Sequence, residues 1–345
     1  MTHQPGLPAK VAVLGAGSWG TTFAKVVADA HPQIQVSLWA RRAEVAKEIN
    51  EFHLNSQYLR DLRLPENLAA SADVAAVLAD APLVVLAVPA QSLRAQLQAF
   101  RPLLAPGAVV VSLMKGLERG TDARMSQVIS EELQLPQERI AVISGPNLAM
   151  EIARKEPTAS VVACTDPEVA QWIAAVCTAS YFRPYTNTDV VGVEIGGIVK
   201  NVIALSVGIC DGKHMGDNTK ASVITRGLAE TTRLAVSLGA EAETMAGLAG
   251  LGDLVATCAS PLSRNHTAGR LLGEGLTLDE VNQRMTQTAE GIKSGRAVLD
   301  LATQMGVEMP ITEAVVAVLE GSLSVEELAP RLLTRELKSE GGQQL

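Results

Sequence analysis

Short apolar runs recur along the first half of the chain, at residues 11–14, 36–39, 83–88, 109–113, 140–143 and 160–163, each with the length and composition of a strand. Between several of them the apolar positions take helical spacing, as over residues 43–52 and 93–104 and from Thr21 to Ala30. Repeated strand-helix units predict a parallel, doubly wound sheet. The run at 83–88 meets Pro89, which stops a ladder and turns the chain at the carboxyl edge of the sheet, where open α/β sheets bind their ligands. After Asn187-Thr-Asp189 the pattern changes to long alanine-, leucine- and valine-rich segments at helical period, broken near Gly239, Gly252, Gly273 and Gly306. The expected organisation is a dinucleotide-binding domain over residues 1–188, a helical substrate domain over 189–335, and a flexible polar tail over 336–345.

The first strand runs directly into Gly15-Ala-Gly17-Ser18-Trp19-Gly20. In a dinucleotide-binding unit Gly15 makes the tight turn, Gly17 lets backbone amides approach a pyrophosphate, and Gly20 lets the helix pack on the sheet. The pyrophosphate sits on the helix N-terminus, where unpaired N–H groups favour negative charge. The fold class is therefore α/β, a Rossmann-like doubly wound sheet domain followed by a mostly α-helical C-terminal domain. About 20 residues on, where an acidic residue would hold the ribose hydroxyl of NAD, stand Arg41 and Arg42. Two guanidinium groups suit a 2′-phosphate, which favours NADP(H) over NAD(H); a solvated strand end is the bland alternative.

The 345 residues suffice for two domains with cores of their own. With 47% apolar and 19% charged residues the balance is globular, and no uncharged apolar run reaches the ~18 residues of a membrane span. The N-terminal residues show neither a basic region nor an apolar core, so no signal peptide is read and a cytoplasmic location is expected. A net charge of −8 argues against nucleic acid as a partner, so an anionic small-molecule substrate has to be held by a local cluster of cations. Cys164, Cys177, Cys210 and Cys258 are widely spaced in apolar surroundings, which predicts buried free thiols. His31, His53 and His266 share no metal-ligand spacing, and no metal is expected. A homodimer is left open.

Lys200 is the one charge between Ile195 and Cys210, in a segment apolar on most helical faces. Burial disfavours an ammonium and lowers its pKa, which makes Lys200 a candidate proton acceptor near neutral pH; snorkelling to the surface is the alternative. Asn201 beside it can orient a ligand or hold the lysine, and Gly192, Gly196 and Gly197 imply close packing of another backbone or the cofactor. Asp253, the one charge in Met245-Ala-Gly-Leu-Ala-Gly-Leu-Gly252-Asp253-Leu-Val, could pair with Lys200, accept from a substrate hydroxyl, or cap the next helix. Ser263, Arg264 and Asn265 open a helical segment and together make a phosphate receptor, or a simple serine cap with an exposed arginine. Lys115 follows the fourth run and Ser144-Gly145-Pro146-Asn147-Leu-Ala149 the fifth, both at the ligand edge.

Together these segments resemble the bacterial NAD(P)-dependent glycerol-3-phosphate dehydrogenase family over about residues 10 to 335. The motifs that carry the resemblance are GAGSWGT, LWARR, the KGL at Lys115, SGPNLA, GGIVKNVIALSVG, ITRGLAE, AGLGDLV, SRN, the EG at Glu290-Gly291 and GVEMPIT. The resemblance implies reduction of dihydroxyacetone phosphate to sn-glycerol 3-phosphate, the glycerophospholipid precursor, with NADPH or NADH. It implies that Lys200 is the proton acceptor and that Lys115, Gly145, Asn147, Lys200, Asp253, Ser263, Arg264 and Asn265 contact substrate. Ser18, Trp19, Arg41, Arg42, Lys115, Ala149, Arg264 and Glu290 match cofactor contacts. Asn147 departs from the serine or threonine of many members while keeping a hydrogen-bonding side chain. The alternatives are a related hydroxy-acid dehydrogenase and a non-catalytic NADP-binding sensor, for which a buried base has no purpose.

Overall fold

The computed structural model describes residues 6–285 and 289–328; the expected tail at 336–345 lies outside them. An eight-stranded sheet has the order β3-β2-β1-β4-β5-β6-β7-β8. Its strands are β1 (Lys10–Leu14), β2 (Gln35–Trp39), β3 (Leu68–Ser71), β4 (Leu83–Leu86), β5 (Val109–Ser112), β6 (Ile140–Ser144), β7 (Thr158–Cys164) and β8 (Phe182–Asn187). Around it lie α1 (Ser18–Ala30), α2 (Ala43–Phe52), α3 (Ser56–Leu59), α4 (Val74–Leu78), α5 (Leu93–Phe100), α6 (Met125–Leu133), α7 (Ala149–Ala153) and α8 (Pro167–Cys177). The strand order reverses between β1 and β4, and the carboxyl ends of β1, β4, β5 and β6 share one edge. That reversal opens the crevice in which doubly wound sheets hold nucleotides. Two apolar clusters cover opposite faces, one built on Val11, Val13 and Phe23, the other on Ala12, Leu14 and Leu97.

The sheet departs from the expected all-parallel arrangement at one place. β7 pairs antiparallel with β6, Ala141 opposite Cys164, and β8 then joins β7 in parallel. The link from β6 to β7 holds only the five-residue α7, which packs on α1 instead of crossing the sheet. A parallel return needs a connection that crosses over the sheet, usually on a helix, and this link stays on the α1 side. Strands β3 and β8 were not foreseen. β3 is Leu-Ala-Ala-Ser, with little side chain to make a pattern, and β8 is a largely exposed, polar edge strand. The helix expected over 93–104 ends at Phe100 and tightens into a 3₁₀ turn, Arg101–Leu103, at Pro102.

Helices α9 (Val190–Gly212), α10 (Asp217–Ser237), α11 (Ala242–Ala246), α12 (Asp253–Ala259), α13 (Arg264–Gly273), α14 (Leu278–Arg284), α15 (Glu290–Gln304) and α16 (Pro310–Leu319) follow the sheet. α9 is buried on nearly all faces because α10, α12, α13 and α15 pack around it. It is long and apolar enough to cross a membrane, yet 89% of its most apolar window is buried inside the protein, as in the core helix of a globular domain. The bend expected before Asp253 is a π-helical turn, Leu248–Gly252, with the Gly252 N–H donating to the Gly247 carbonyl at 3.1 Å. All four cysteines are buried and free.

Candidate active site

The first part of the site grows out of β1. Gly15 has φ +123°, and a Cβ there would lie 2.5 Å from the Ala87 carbonyl oxygen beyond β4. A Cβ on Gly20 would meet the Gly15 carbonyl oxygen at 2.0 Å, so this glycine lets α1 sit on its own loop. At Gly17 a Cβ would meet nothing within 4 Å, and Gly17 is the N-cap of α1 without a side-chain cap. Ser18 and Trp19 are therefore in a first helical turn whose N–H groups have no capping partner. The Trp19 Nε1 is buried without a partner, its ring 5.9 Å from that of Phe23. An open approach over Gly17, unsatisfied donors and a positive helix end fit the pyrophosphate of a dinucleotide. The Gly15 N–H donates to the Trp39 carbonyl at 3.2 Å, which ties this loop to the end of β2. Arg41 and Arg42, both exposed, follow that end, and Arg42 also donates to Gln57.

Asn55 was missed by sequence reasoning. Fully buried, it donates to the Ala16 carbonyl at 3.1 Å and to Thr21 Oγ1 at 2.9 Å, so its amide fastens the glycine loop to α1. No periodicity marks an asparagine between two short helices.

The second part joins the two domains. Asp253, 1% exposed, stands on the first turn of α12, and its carboxylate accepts from Lys200 Nζ on one oxygen and from Lys115 Nζ, at 2.6 Å, on the other. Lys200, 8% exposed, also donates to Thr257 Oγ1 at 2.7 Å, and Lys115 to the Gly145 carbonyl at 3.0 Å. Of the readings open for Asp253, the structure therefore brings it to Lys200, and Lys200 does not snorkel. Thr257, the second residue missed, lies one turn after Asp253 on the same face of α12. The close contacts depend on glycine: a Cβ on Gly196 would lie 2.5 Å from the Ala249 carbonyl oxygen of the π turn. A Cβ on Gly197 would lie 2.5 Å from Ser144 Oγ and 3.5 Å from the Lys115 stem.

Burial pushes the Lys200 ammonium down to about 8; Asp253 opposes this, and the nearby positive charge of Lys115 adds to it. A lysine lowered in this way titrates nearer neutral pH than an exposed one, which is what a group that gives and takes a proton requires.

The third part is a chain of amides. The Gly291 N–H donates to Asn265 Oδ1 at 2.9 Å, and Asn265 Nδ2 donates to Asn201 Oδ1 at 2.8 Å. Asn201 Nδ2 reaches the Gly197 carbonyl at 3.4 Å and the Lys115 carbonyl at 3.5 Å. Asn201 thus holds the backbone under Lys115 and the side chain of Asn265, and not the Lys200 ammonium. Ser263 caps α13 by accepting from the His266 N–H at 3.2 Å, and Arg264 is the first residue of that helix. Glu290 opens α15 beside Gly291. Gly145, with φ +139°, packs 3.2 Å from the Ser160 Cα as judged by an added Cβ, and both polar atoms of the Asn147 side chain are buried without a partner. Ala149 starts α7, its carbonyl accepting from Thr22 Oγ1 of α1 at 3.3 Å. Among the described residues no group of three His, Cys, Asp or Glu side chains is placed to hold a metal ion.

A glycine-turned nucleotide loop, an uncapped helix start and a buried lysine-carboxylate pair define the class: a two-domain NAD(P)-linked oxidoreductase. The model of the NAD-dependent glycerol-3-phosphate dehydrogenase N-terminus matches residues 10–170 and that of the C-terminus residues 189–330. The chain belongs to the NAD-dependent glycerol-3-phosphate dehydrogenase family. It is 59% identical over 331 residues to the glycerol-3-phosphate dehydrogenase (NAD(P)+) of Thermobifida fusca, covering 96% of this chain and 98% of that one. To the enzyme of the same name from Streptomyces coelicolor it is 58% identical over 333 residues, with 96% and 98% covered. The crystal structure of glycerol-3-phosphate dehydrogenase from Coxiella burnetii superposes with a TM-score of 0.90 at 36% identity, covering 95% of this chain and 99% of that one.

Proposed function

We propose that this enzyme interconverts dihydroxyacetone phosphate and sn-glycerol 3-phosphate, with Lys200 moving the proton at the C2 oxygen. The observation that carries this reading is the buried carboxylate of Asp253 shared by Lys200 and Lys115 at the carboxyl edge of the sheet. The dinucleotide, when bound, supplies or accepts the hydride. In reduction the Lys200 ammonium donates a proton to the oxygen on which charge develops; in oxidation its neutral amine takes the hydroxyl proton. Asp253 and Thr257 orient the ammonium, and Lys115 adds a second positive charge within reach of the same carboxylate.

The substrate phosphate is assigned to Ser263, Arg264 and Asn265 at the start of α13, where helix N–H groups and a guanidinium favour an anion. Ser263 spends its acceptor on the cap and keeps its O–H to donate. The unpartnered Asn147 amide and the Gly145 backbone, beside Lys115, suit the rest of the substrate. Gly15, Gly17, Ser18, Trp19 and Gly20 hold the pyrophosphate side of the cofactor, with Ala149 and Glu290 as further contacts. Arg41 and Arg42 at the end of β2 favour NADP(H) over NAD(H). The product serves glycerophospholipid synthesis, and four unpaired buried thiols suit the reducing cytoplasm. Steady-state oxidation of NADPH by purified enzyme with dihydroxyacetone phosphate tests the reading. Turnover with a 2-keto acid instead would assign the site to hydroxy-acid chemistry.

A further inference from the structure

The geometry points to Glu194 and Arg124 as positioning residues that hold the Lys115 loop against α9, so that Lys115 and Lys200 can share Asp253. The inference rests on the proposed role of Lys200. Lys115 sits on the segment between β5 and α6, which is a closed loop: Leu117 and Arg124 bridge its two sides, and the Glu118 N–H donates to the Ala123 carbonyl at 3.0 Å. Arg124 closes the loop and sends its guanidinium out of the first domain to Glu194 Oε2, 2.5 Å away on α9. Glu194 also accepts from the Ser126 N–H at 2.9 Å and from the Ser126 O–H at 2.5 Å. The carboxylate is 4% exposed and stands six residues before Lys200, about 9 Å along the same helix. Leu117, at the loop's centre, is fully buried in the core of the second domain with Ile195, Ile198 and Val199 of α9.

The loop is thereby fixed to α9 by an ion pair at one end, an apolar anchor in the middle and the long Asn201 contact at Lys115. A buried ion pair contributes little net stability, because desolvation offsets its attraction, and the role inferred for this one is to set the register of the two elements it joins. Register is what Lys115 needs, because its stem passes Gly197 and its ammonium must meet the oxygen of Asp253 that Lys200 leaves free. The charged and titratable groups facing Lys200 are Asp253 and Cys258 from α12 and Lys115 from this loop. Releasing the loop takes the Lys115 cation away from Lys200.

The test compares wild type with Glu194→Gln, Arg124→Met, Arg124→Lys, Lys115→Met and Lys200→Met, using kcat/KM for dihydroxyacetone phosphate against pH together with thermal unfolding. Glu194→Gln and Arg124→Met should lower kcat/KM by about 10- to 100-fold, the cost of a small misplacement near the reacting atoms. Their alkaline limb should move to higher pH in the same direction as that of Lys115→Met, and Arg124→Lys should recover part of the loss. A structural staple alone would lower the melting temperature and leave the limb in place, and that result overturns the inference. Should Glu194→Gln fail to fold, Ser126→Ala and Arg124→Lys, which each remove part of the clasp, are read by the same criterion. If Lys200→Met keeps its turnover, the reaction assigned to Lys200 falls; if it loses turnover while the clasp variants keep the wild-type profile, the clasp alone falls.

Discussion

Lys115 Nζ lies 2.6 Å from Asp253 Oδ2, a contact between residues 138 positions apart that joins the sheet domain to the helical domain. Because the other oxygen of Asp253 holds Lys200, one buried carboxylate sets the positions of two cations that come from different elements. It also leaves one net positive charge at the sheet edge where the nucleotide loop ends. A doubly negative phosphoketone and a developing alkoxide are both favoured there.

Replacing Arg41 and Arg42 by neutral residues should raise the KM for NADPH far more than that for NADH. Each 1.4 kcal/mol of lost interaction is about tenfold in affinity. Both side chains are exposed, so the fold should be untouched, and paired kinetics with the two cofactors checks the outcome. Equal effects on both would remove the 2′-phosphate contact from the account.

Gly196→Ala should disturb Asp253 from a distance. Its Cβ would lie 2.5 Å from a backbone carbonyl of the π turn, which has no flexible end to move aside. Overpacking of this kind costs about 1–3 kcal/mol, and the displaced turn leads directly into Asp253. Denaturant melts should show the loss of stability and kinetics a larger fall in kcat than in cofactor affinity. Wild-type activity in the variant would contradict the packing described.

Glu230 on α10 should make stability depend on pH. Its carboxylate, 2% exposed, accepts from the Ile311 N–H at 2.8 Å and the Thr312 N–H at 3.3 Å at the start of α16, and burial pushes it up to about 7. The folded protein then binds more protons than the unfolded chain between the ordinary carboxyl range and about pH 7, so this group takes stability away as pH rises through that window. Urea midpoints measured across the window should fall less steeply in Glu230→Gln than in wild type. Identical slopes would exclude the titration.

What could be read from the chain follows from physical cost. Lys200 and Asp253 stood out because a lone charge in an apolar stretch is expensive to bury and needs a partner, and the structure supplies each with the other. Gly15 and Gly20 were legible because their lack of a side chain is required by contacts of 2.5 and 2.0 Å. Asn55, Thr257 and the Glu194–Arg124 pair were not, because ordinary polar residues acquire meaning only from partners the chain order does not bring together. Glu194 and Arg124 are 70 positions apart. Ser263 was legible as a cap: its Oγ accepts from the His266 N–H, and its O–H stays available to donate to the phosphate proposed there. Strands β3 and β8 escaped because small residues in one and a solvated edge in the other carry no apolar alternation.

The pH dependence of the two directions should mirror the Lys200 proton. With its ammonium lowered to about 8, reduction should lose rate as pH rises through that value, and oxidation should gain it. Changing Lys115 to Met removes the cation that helps lower Lys200 and should move both limbs to higher pH. Limbs that stay in place would mean that another group titrates.

The central claim is tested most directly by Lys200→Ala, with NADPH affinity and reduction of dihydroxyacetone phosphate measured on the same folded preparation. The expected result is a loss of turnover of about 10²- to 10⁴-fold, the usual contribution of a positioned acid, with NADPH affinity near wild type. Turnover that persists, or turnover and affinity that fall together, would contradict the assignment of the proton to Lys200.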